Sequence, residues 1–275
     1  MRKSLLALSL LAATSAPVMA ADYSDGDIHK NDYKWMQFNL MGAFDEKGAG
    51  PESSHDYLEM EFGGRSGIFD LYGYVDVFNL ASDPGSDKAK PGAEKIFMKF
   101  APRMSLDALT GKDLSFGPVQ ELYVATLMEW GGNSGVNNQK IGLGSDVMVP
   151  WLGKVGLNLY GSYYGNNKDW NGFQISTNWF KPFYFFENGS FISYQGYIDY
   201  QFGMEDKEGN KFNTNTSNGG AMFNGIYWHS DRFAVGYGLK LYKDVYGFED
   251  GKALPWTQTV DSSGVAHYVA VTYKF

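Results

Sequence analysis

The sequence predicts an all-β protein, a single closed antiparallel transmembrane β-barrel of about twelve strands. Three observations predict it. Apolar residues recur at every second position in run after run, the period of a strand with one apolar face. Beyond the first twenty residues, no stretch approaches the ~18 consecutive apolar residues of a spanning helix. The chain also stops inside an alternating segment, at Phe275, with Tyr273 and Val271 on the same face.

The N-terminus is a targeting segment. Arg2 and Lys3 precede an apolar core from Leu5 to Ala13, and Val18-Met19-Ala20 ends in small residues. This is a secretory signal covering residues 1–20, too short to span a membrane and cleaved after Ala20. Residues 21–275 are then one barrel.

Met36, Phe38, Leu40 and Phe44 alternate with Gln37, Asn39, Ala43 and Asp45. Leu58, Met60 and Phe62 alternate with Tyr57, Glu59 and Glu61. Gly63 to Gly67 reads as a tight connection. Phe69, Leu71, Val75 and Val77 alternate with Asp70, Tyr72, Tyr74 and Asp76, and Ile96, Met98 and Phe100 with Phe97, Lys99 and Ala101. Leu122, Val124, Met128 and Trp130 oppose Glu121, Tyr123 and Glu129. Comparable runs begin at Val155, Phe173, Ile192, Phe233 and Val265, and weaker ones lie near 139–149 and 219–229. Ser82–Gly92 and Glu205–Gly220 are polar and rich in Gly or Asn, as long loops are, whereas Asn166–Asn171 is short. Unequal loops suit a barrel with short periplasmic turns and longer external loops.

Alternation alone also permits a secreted β-sandwich. Three features favour lipid outside and a wet lumen inside. The polar face carries many tyrosines as well as charges. Trp130, Tyr163, Trp179 and Tyr200 end the apolar face, as interfacial girdles do. A terminal aromatic closes the last strand. Hydrocarbon demands an internal partner for every backbone polar group, which a closed sheet supplies. A single β-bulge would exchange the two faces.

Composition narrows the function. Among 275 residues there is no cysteine, which removes disulfides, thiolate metal sites and cysteine nucleophiles. A net charge of −8 argues against nucleic acid as a partner. His29, His55, His229 and His267 are scattered, and none lies in a nucleophile-elbow or zincin motif, so no enzyme and no metal site are expected. Asp244–Asp250 lacks the spacing of a calcium loop. No cofactor is expected.

Several segments, in order, carry a resemblance. Tyr57-Leu58-Glu59-Met60-Glu61-Phe62 and Phe69-Asp70-Leu71-Tyr72-Gly73-Tyr74-Val75-Asp76 come first. Phe97–Arg103, Leu114–Pro118, Gly142–Asp146 and Trp170–Phe173 follow. Together they resemble the Tsx nucleoside-specific outer-membrane channels, and most closely their OmpK branch. The resemblance is good over 33–183, adequate in the last strand and weaker over 203–264. It implies a monomeric barrel in the cell outer membrane, amid lipid and lipopolysaccharide, that passes nucleosides and deoxynucleosides. It also implies surface loops used as receptors by bacteriophage tail proteins and colicins.

A nucleoside offers a flat base and a hydroxyl-rich sugar, so a selective pore should supply stacking faces and acceptors at several weak sites. Tyr72, Tyr74, Phe78, Phe97 and Tyr123 are candidate stacking groups. Glu59, Glu61, Asp70, Asp76, Glu121 and Glu129 are candidate acceptors for sugar hydroxyls. Lys99 and Arg103 would pair with those carboxylates and stiffen the constriction. The competing readings are a salt-bridge ladder that plugs a structural or receptor barrel, and a general small-solute porin.

Overall fold

A computed structural model describes residues 23–254 and 259–275. The expected secretory segment 1–20 lies outside the described residues. The chain builds one antiparallel sheet of thirteen strands: β1 (Tyr33–Glu46), β2 (Ser53–Ser66), β3 (Phe69–Phe78), β4 (Ile96–Phe100), β5 (Arg103–Ser105), β6 (Val119–Gly131), β7 (Asn137–Val149), β8 (Gly153–Tyr164), β9 (Asp169–Phe185), β10 (Phe191–Phe202), β11 (Asn218–His229), β12 (Phe233–Lys243) and β13 (Gly264–Lys274). β4 and β5 both pair with β3 on one side and β6 on the other, so they share one place in the wall. The break between them falls at Ala101-Pro102. Proline cannot donate to a ladder. Its carbonyl still accepts from Thr126, through N at 3.1 Å and Oγ1 at 2.9 Å. The wall thus has twelve strand positions, as the sequence period requires.

Closure comes from β13 pairing with β1, from Gln37 opposite Lys274 to Phe44 opposite His267. The Phe275 N–H donates to the Met36 carbonyl at 3.1 Å. The Phe275 ring packs edge-on against Phe38 across the seam and against Tyr273, two residues back along the chain.

The connections sort by end. Turns 67–68, 150–152 and 230–232 are tight and lie at the end that also holds Tyr33 and Phe275. A short helix, Leu106–Thr110, occupies part of the 106–118 connection there, capped by Ser105 Oγ accepting from Ala108 N. Loops 79–95 and 203–217, and the described parts of the 244–263 connection, lie at the opposite end. The β2–β3 turn is shorter than Gly63–Gly67 suggests, because Gly63 and Gly64 belong to β2 and only Gly67-Ile68 connects. Gly63 is needed for a different reason: the Trp35 indole lies over it, 2.7 Å from where a Cβ would stand.

Burial runs opposite to a soluble barrel. Leu143 is 66% exposed and Val271 53%, whereas Asp146 is 2% and Lys140 3% exposed. Apolar side chains cover the outside and ionised ones fill the inside. Tyr163, on this outer surface, meets Trp170 near the long-loop end, and Tyr200 stacks near Phe202. Trp179 departs from the girdle expectation: it is only 8% exposed, packed on Tyr194 and above Gly196.

Two carboxylates tie the described parts of the 244–263 connection: Asp250 accepts from Ser262 N at 2.8 Å and Ser263 N at 3.0 Å, and Asp244 joins them. Asp244, at φ 44°, accepts from Asp250 N at 3.0 Å and Ser263 Oγ at 3.3 Å, and pairs with Lys243 at 2.6 Å. Burial alone would raise its pKa, but Lys243 and the neighbouring donors outweigh that and hold it below the ordinary aspartate value. A group depressed in the folded state stabilises fully above its unfolded pKa and loses that support as pH falls through the folded value. The loop should therefore resist an acid-active protease until the pH drops below the ordinary aspartate range. Limited proteolysis across pH checks this; cleavage already at neutral pH would show that Asp244 does not tie the loop.

Candidate functional site

Strand parity decides what lines the bore, and it survives where it matters. The register shifts lie near strand ends, at Ala43/Glu46, Val119/Glu121, Gly161/Tyr163 and Ile192/Ser193. The middle of the wall keeps strict alternation, so Glu59, Glu61, Asp70, Tyr72, Tyr74, Asp76, Phe78, Phe97, Lys99, Arg103, Glu121 and Tyr123 all lie on the inner face.

The structure sorts these residues into three groups. Near the short-turn end, Arg65 grips Glu121 with both terminal nitrogens, at 2.6 and 2.8 Å, and Ser105 Oγ donates to the same carboxylate. Arg103 bridges Asp70 at 2.5 Å and Asp146 at 2.9 Å, with its guanidinium 4.0 Å from the centre of the Tyr123 ring. Tyr123 OH donates to Asp146 at 3.2 Å. Tyr23, from the segment before β1, is buried against Arg65 here. This belt is a bidentate, stacked network of the kind arginine favours.

At mid-height an aromatic file climbs the wall. Trp35 meets Tyr72 at 6.3 Å between ring centres, Tyr72 meets Tyr74 at 6.2 Å, and Tyr74 meets Phe97 at 6.0 Å. Beside it Tyr72 OH donates to Glu61 at 2.8 Å, Gln37 Nε2 donates to Glu61 at 2.6 Å, and Asn39 Nδ2 donates to Glu59 at 2.6 Å. Thr272 Oγ1 holds Asn39 in place at 2.7 Å. Lys99 does not pair with the carboxylates of its own neighbourhood in sequence. It crosses to Asp199 at 3.1 Å, which also accepts from Ser176 at 2.5 Å. Glu129 pairs with Lys140 at 2.5 Å.

Near the long-loop end Phe78 packs on Tyr57 and His55, below the Lys88 ammonium of the 79–95 loop. Beside them Glu46 lies 3.4 Å from His55 Nε2, accepts from Tyr268 OH at 2.7 Å and faces Lys240 at 3.6 Å. Tyr197 and Phe223 stack at 5.8 Å on that side, and Tyr197 is within electrostatic reach of Tyr72, Tyr74 and Lys240.

Trp35, Asn39, Tyr197, Asp199 and Lys240 also line the bore, although the sequence, which puts all but Trp35 on the polar face, singles out none of them as site residues. Each stands at an inner parity position, so alternation is the available signal. The histidines do include one short contact to a serine, Ser193 Oγ to His229 Nε2 at 2.8 Å, with the ring stacked on Phe191. Among the described residues no carboxylate pairs with His229, so the third member of a hydrolytic triad is missing there.

A closed barrel that turns its apolar residues outward and lines its bore with ionised and aromatic groups is an outer-membrane channel protein. The family described as nucleoside-specific channel-forming protein, Tsx, matches residues 30–275, and the chain belongs to that family. It is 80% identical over 276 residues to the outer membrane protein OmpK of Vibrio parahaemolyticus, with 100% of both chains covered. It is 29% identical over 295 residues to the nucleoside-specific channel-forming protein Tsx of Salmonella typhimurium, again with 100% of both covered. Among solved structures the NanC porin superposes with a TM-score of 0.50 at 7% identity, covering 86% of this chain and 100% of that one, a likeness of fold. The resemblance read from the sequence is borne out.

Proposed function

We propose that the barrel passes nucleosides and deoxynucleosides selectively across the outer membrane, as a monomer. The observation that carries this reading is the aromatic file Trp35–Tyr72–Tyr74–Phe97 running beside the acceptors Glu59 and Glu61. A base can slide from ring to ring while its sugar exchanges hydrogen bonds along the adjacent row. Several weak sites in series let a solute leave as readily as it enters. The family description supports the same reading. Phe78 would receive the base at the external mouth. Asp70, Glu121, Arg103 and Tyr123 would act chiefly as the rigid belt at the other end, their polar groups already paired.

The test is ion current through the refolded barrel in planar bilayers, with adenosine or thymidine titrated in. Saturable block by the nucleoside, but not by a sugar of similar size, is the expected result. Tyr72→Ala should weaken the block by about 1–3 kcal/mol, roughly 5- to 150-fold, the worth of one stacking surface. Current insensitive to nucleosides would leave a general pore instead.

The long loops 79–95 and 203–217 and the described parts of the 244–263 connection share one end of the barrel. That clustering favours a second role for the same molecule, as a surface receptor for bacteriophage tail proteins. Shortening the 203–217 loop should abolish adsorption of a sensitive phage without changing the conductance.

A further inference from the structure

The 79–95 loop does not stand clear of the barrel. Its 86–88 segment rests on the inner wall at the long-loop mouth. Ser86 is buried there, and its Oγ accepts from Lys88 N at 3.1 Å, which fixes the turn. Two contacts join this turn to the wall. The Lys88 ammonium lies 4.5 Å from the centre of the Phe78 ring, and Asp87 Oδ1 lies 3.4 Å from His55 Nδ1. The other ring nitrogen of His55, Nε2, lies 3.4 Å from Glu46 Oε2 on β1. One buried imidazole thus stands between a carboxylate of the wall and a carboxylate of the loop.

The surroundings of His55 decide what its charge does. On β2, Ser53 Oγ is 3.5 Å from Nδ1 and the Tyr57 ring centre is 5.9 Å away; on β3 the Phe78 ring packs edge-on at 5.3 Å. Asp76, further along β3, and Lys88 are both within electrostatic reach of Glu46, and Lys88 also acts on Glu94 of its own loop. Glu46 has further support from Tyr268 OH at 2.7 Å, Tyr242 OH at 3.3 Å and Lys240 at 3.6 Å. Besides His55, the cation beside Asp87 is Lys88, 3.7 Å away in the same loop, and a contact within the loop does not tie it to the wall. Burial would raise the Asp87 pKa, but His55 and Lys88 hold it below the ordinary aspartate value, so Asp87 stays ionised in mild acid. A charged imidazole donates from both nitrogens, whereas a neutral one donates from one and presents a lone pair on the other. Only the charged ring can therefore satisfy both carboxylates. When the ring is neutral, Glu46 keeps Tyr268, Tyr242 and Lys240, so the loss falls on Asp87. Imidazole is the side chain that ordinarily changes charge between about pH 5 and 8.

We propose that His55 is a proton-operated latch: charged, it holds the 79–95 loop down through Asp87 and narrows the long-loop mouth; neutral, it lets the loop lift and the mouth widen. Ion current alone reads this, so the latch goes beyond nucleoside passage and does not depend on it.

The experiment is single-channel recording in KCl, without nucleoside, at about pH 5.5 and about pH 8, on either side of the imidazole range. Wild type, His55→Gln and Asp87→Asn are compared. In wild type the ratio of low- to high-conductance dwell time should fall by about tenfold or more from the lower pH to the higher, the loss of one charge-assisted hydrogen bond. Both variants should already favour the high-conductance state in acid and should lose the pH dependence. A wild-type current independent of pH, a mouth that closes as pH rises, or full pH dependence kept in either variant would overturn the proposal. Asp87 belongs to the loop and not to a strand, so Asp87→Asn leaves the wall intact and decides alone if His55→Gln does not insert. Loss of the latch in this assay leaves the nucleoside reading standing, because that reading is tested by nucleoside block at a single pH.

Discussion

Leu143→Arg is expected to destabilise the barrel by about 2–4 kcal/mol in a lipid bilayer, the cost of a basic side chain on the lipid face near mid-membrane. Leu143 is central in β7, between Val124 on β6 and Leu159 on β8, and all three point outward. In a water-soluble barrel so exposed a residue would be an ordinary surface site, and the same substitution would change stability by no more than about 0.5 kcal/mol. The result therefore separates the two solvents. It is read from urea titration of folding into vesicles, comparing the variant with wild type. An unchanged midpoint would mean that this face does not meet hydrocarbon.

Arg103→Met should cost about 3–5 kcal/mol, the penalty for removing one partner of a buried ion pair. Its guanidinium serves Asp70 and Asp146 at once and lies on the Tyr123 ring. Asp146 retains Lys154 at 3.1 Å, but no other cation pairs with Asp70 among the described residues. Most of the loss is thus the stranding of Asp70. Adding Asp70→Asn should recover a large part of it, which a double-mutant cycle in the same urea assay measures. A single variant as stable as wild type would show that the belt contributes nothing to holding the short-turn end together.

Much of this arrangement is legible in the sequence because a strand has a period of two and little else to say. Once Glu59 and Leu58 are assigned to opposite faces, every residue of β2 follows. The assignment holds in the mid-wall because the irregularities gather at the ends, where Glu121 and Tyr163 adjoin them. Partnership is another matter. Lys99 lies on the same strand face as Phe97 and next to Tyr74, yet its ammonium reaches Asp199 on β10, far around the wall from β4. Nothing in local spacing carries that, since it depends on how wide the closed cylinder is. The role of Gly63 is likewise hidden: a glycine pair before Arg65 looks like a turn until Trp35 is found lying across it. Trp179 misleads for a similar reason, because its neighbour Tyr194 comes from the next strand.

The long reach of the lining contacts governs how the molecule assembles. Lys99 and Asp199 are 100 residues apart, Tyr268 and Glu46 are 222, and Thr272 and Asn39 are 233. None of these pairs exists in a half-made sheet. Until β13 reaches β1, the inner face of the growing sheet presents unpaired charges and the two edges present unpaired backbone. Hydrocarbon rejects both. Partial barrels are consequently poor stopping points, and insertion should proceed as one cooperative event in which the last seam and the interior charges settle together.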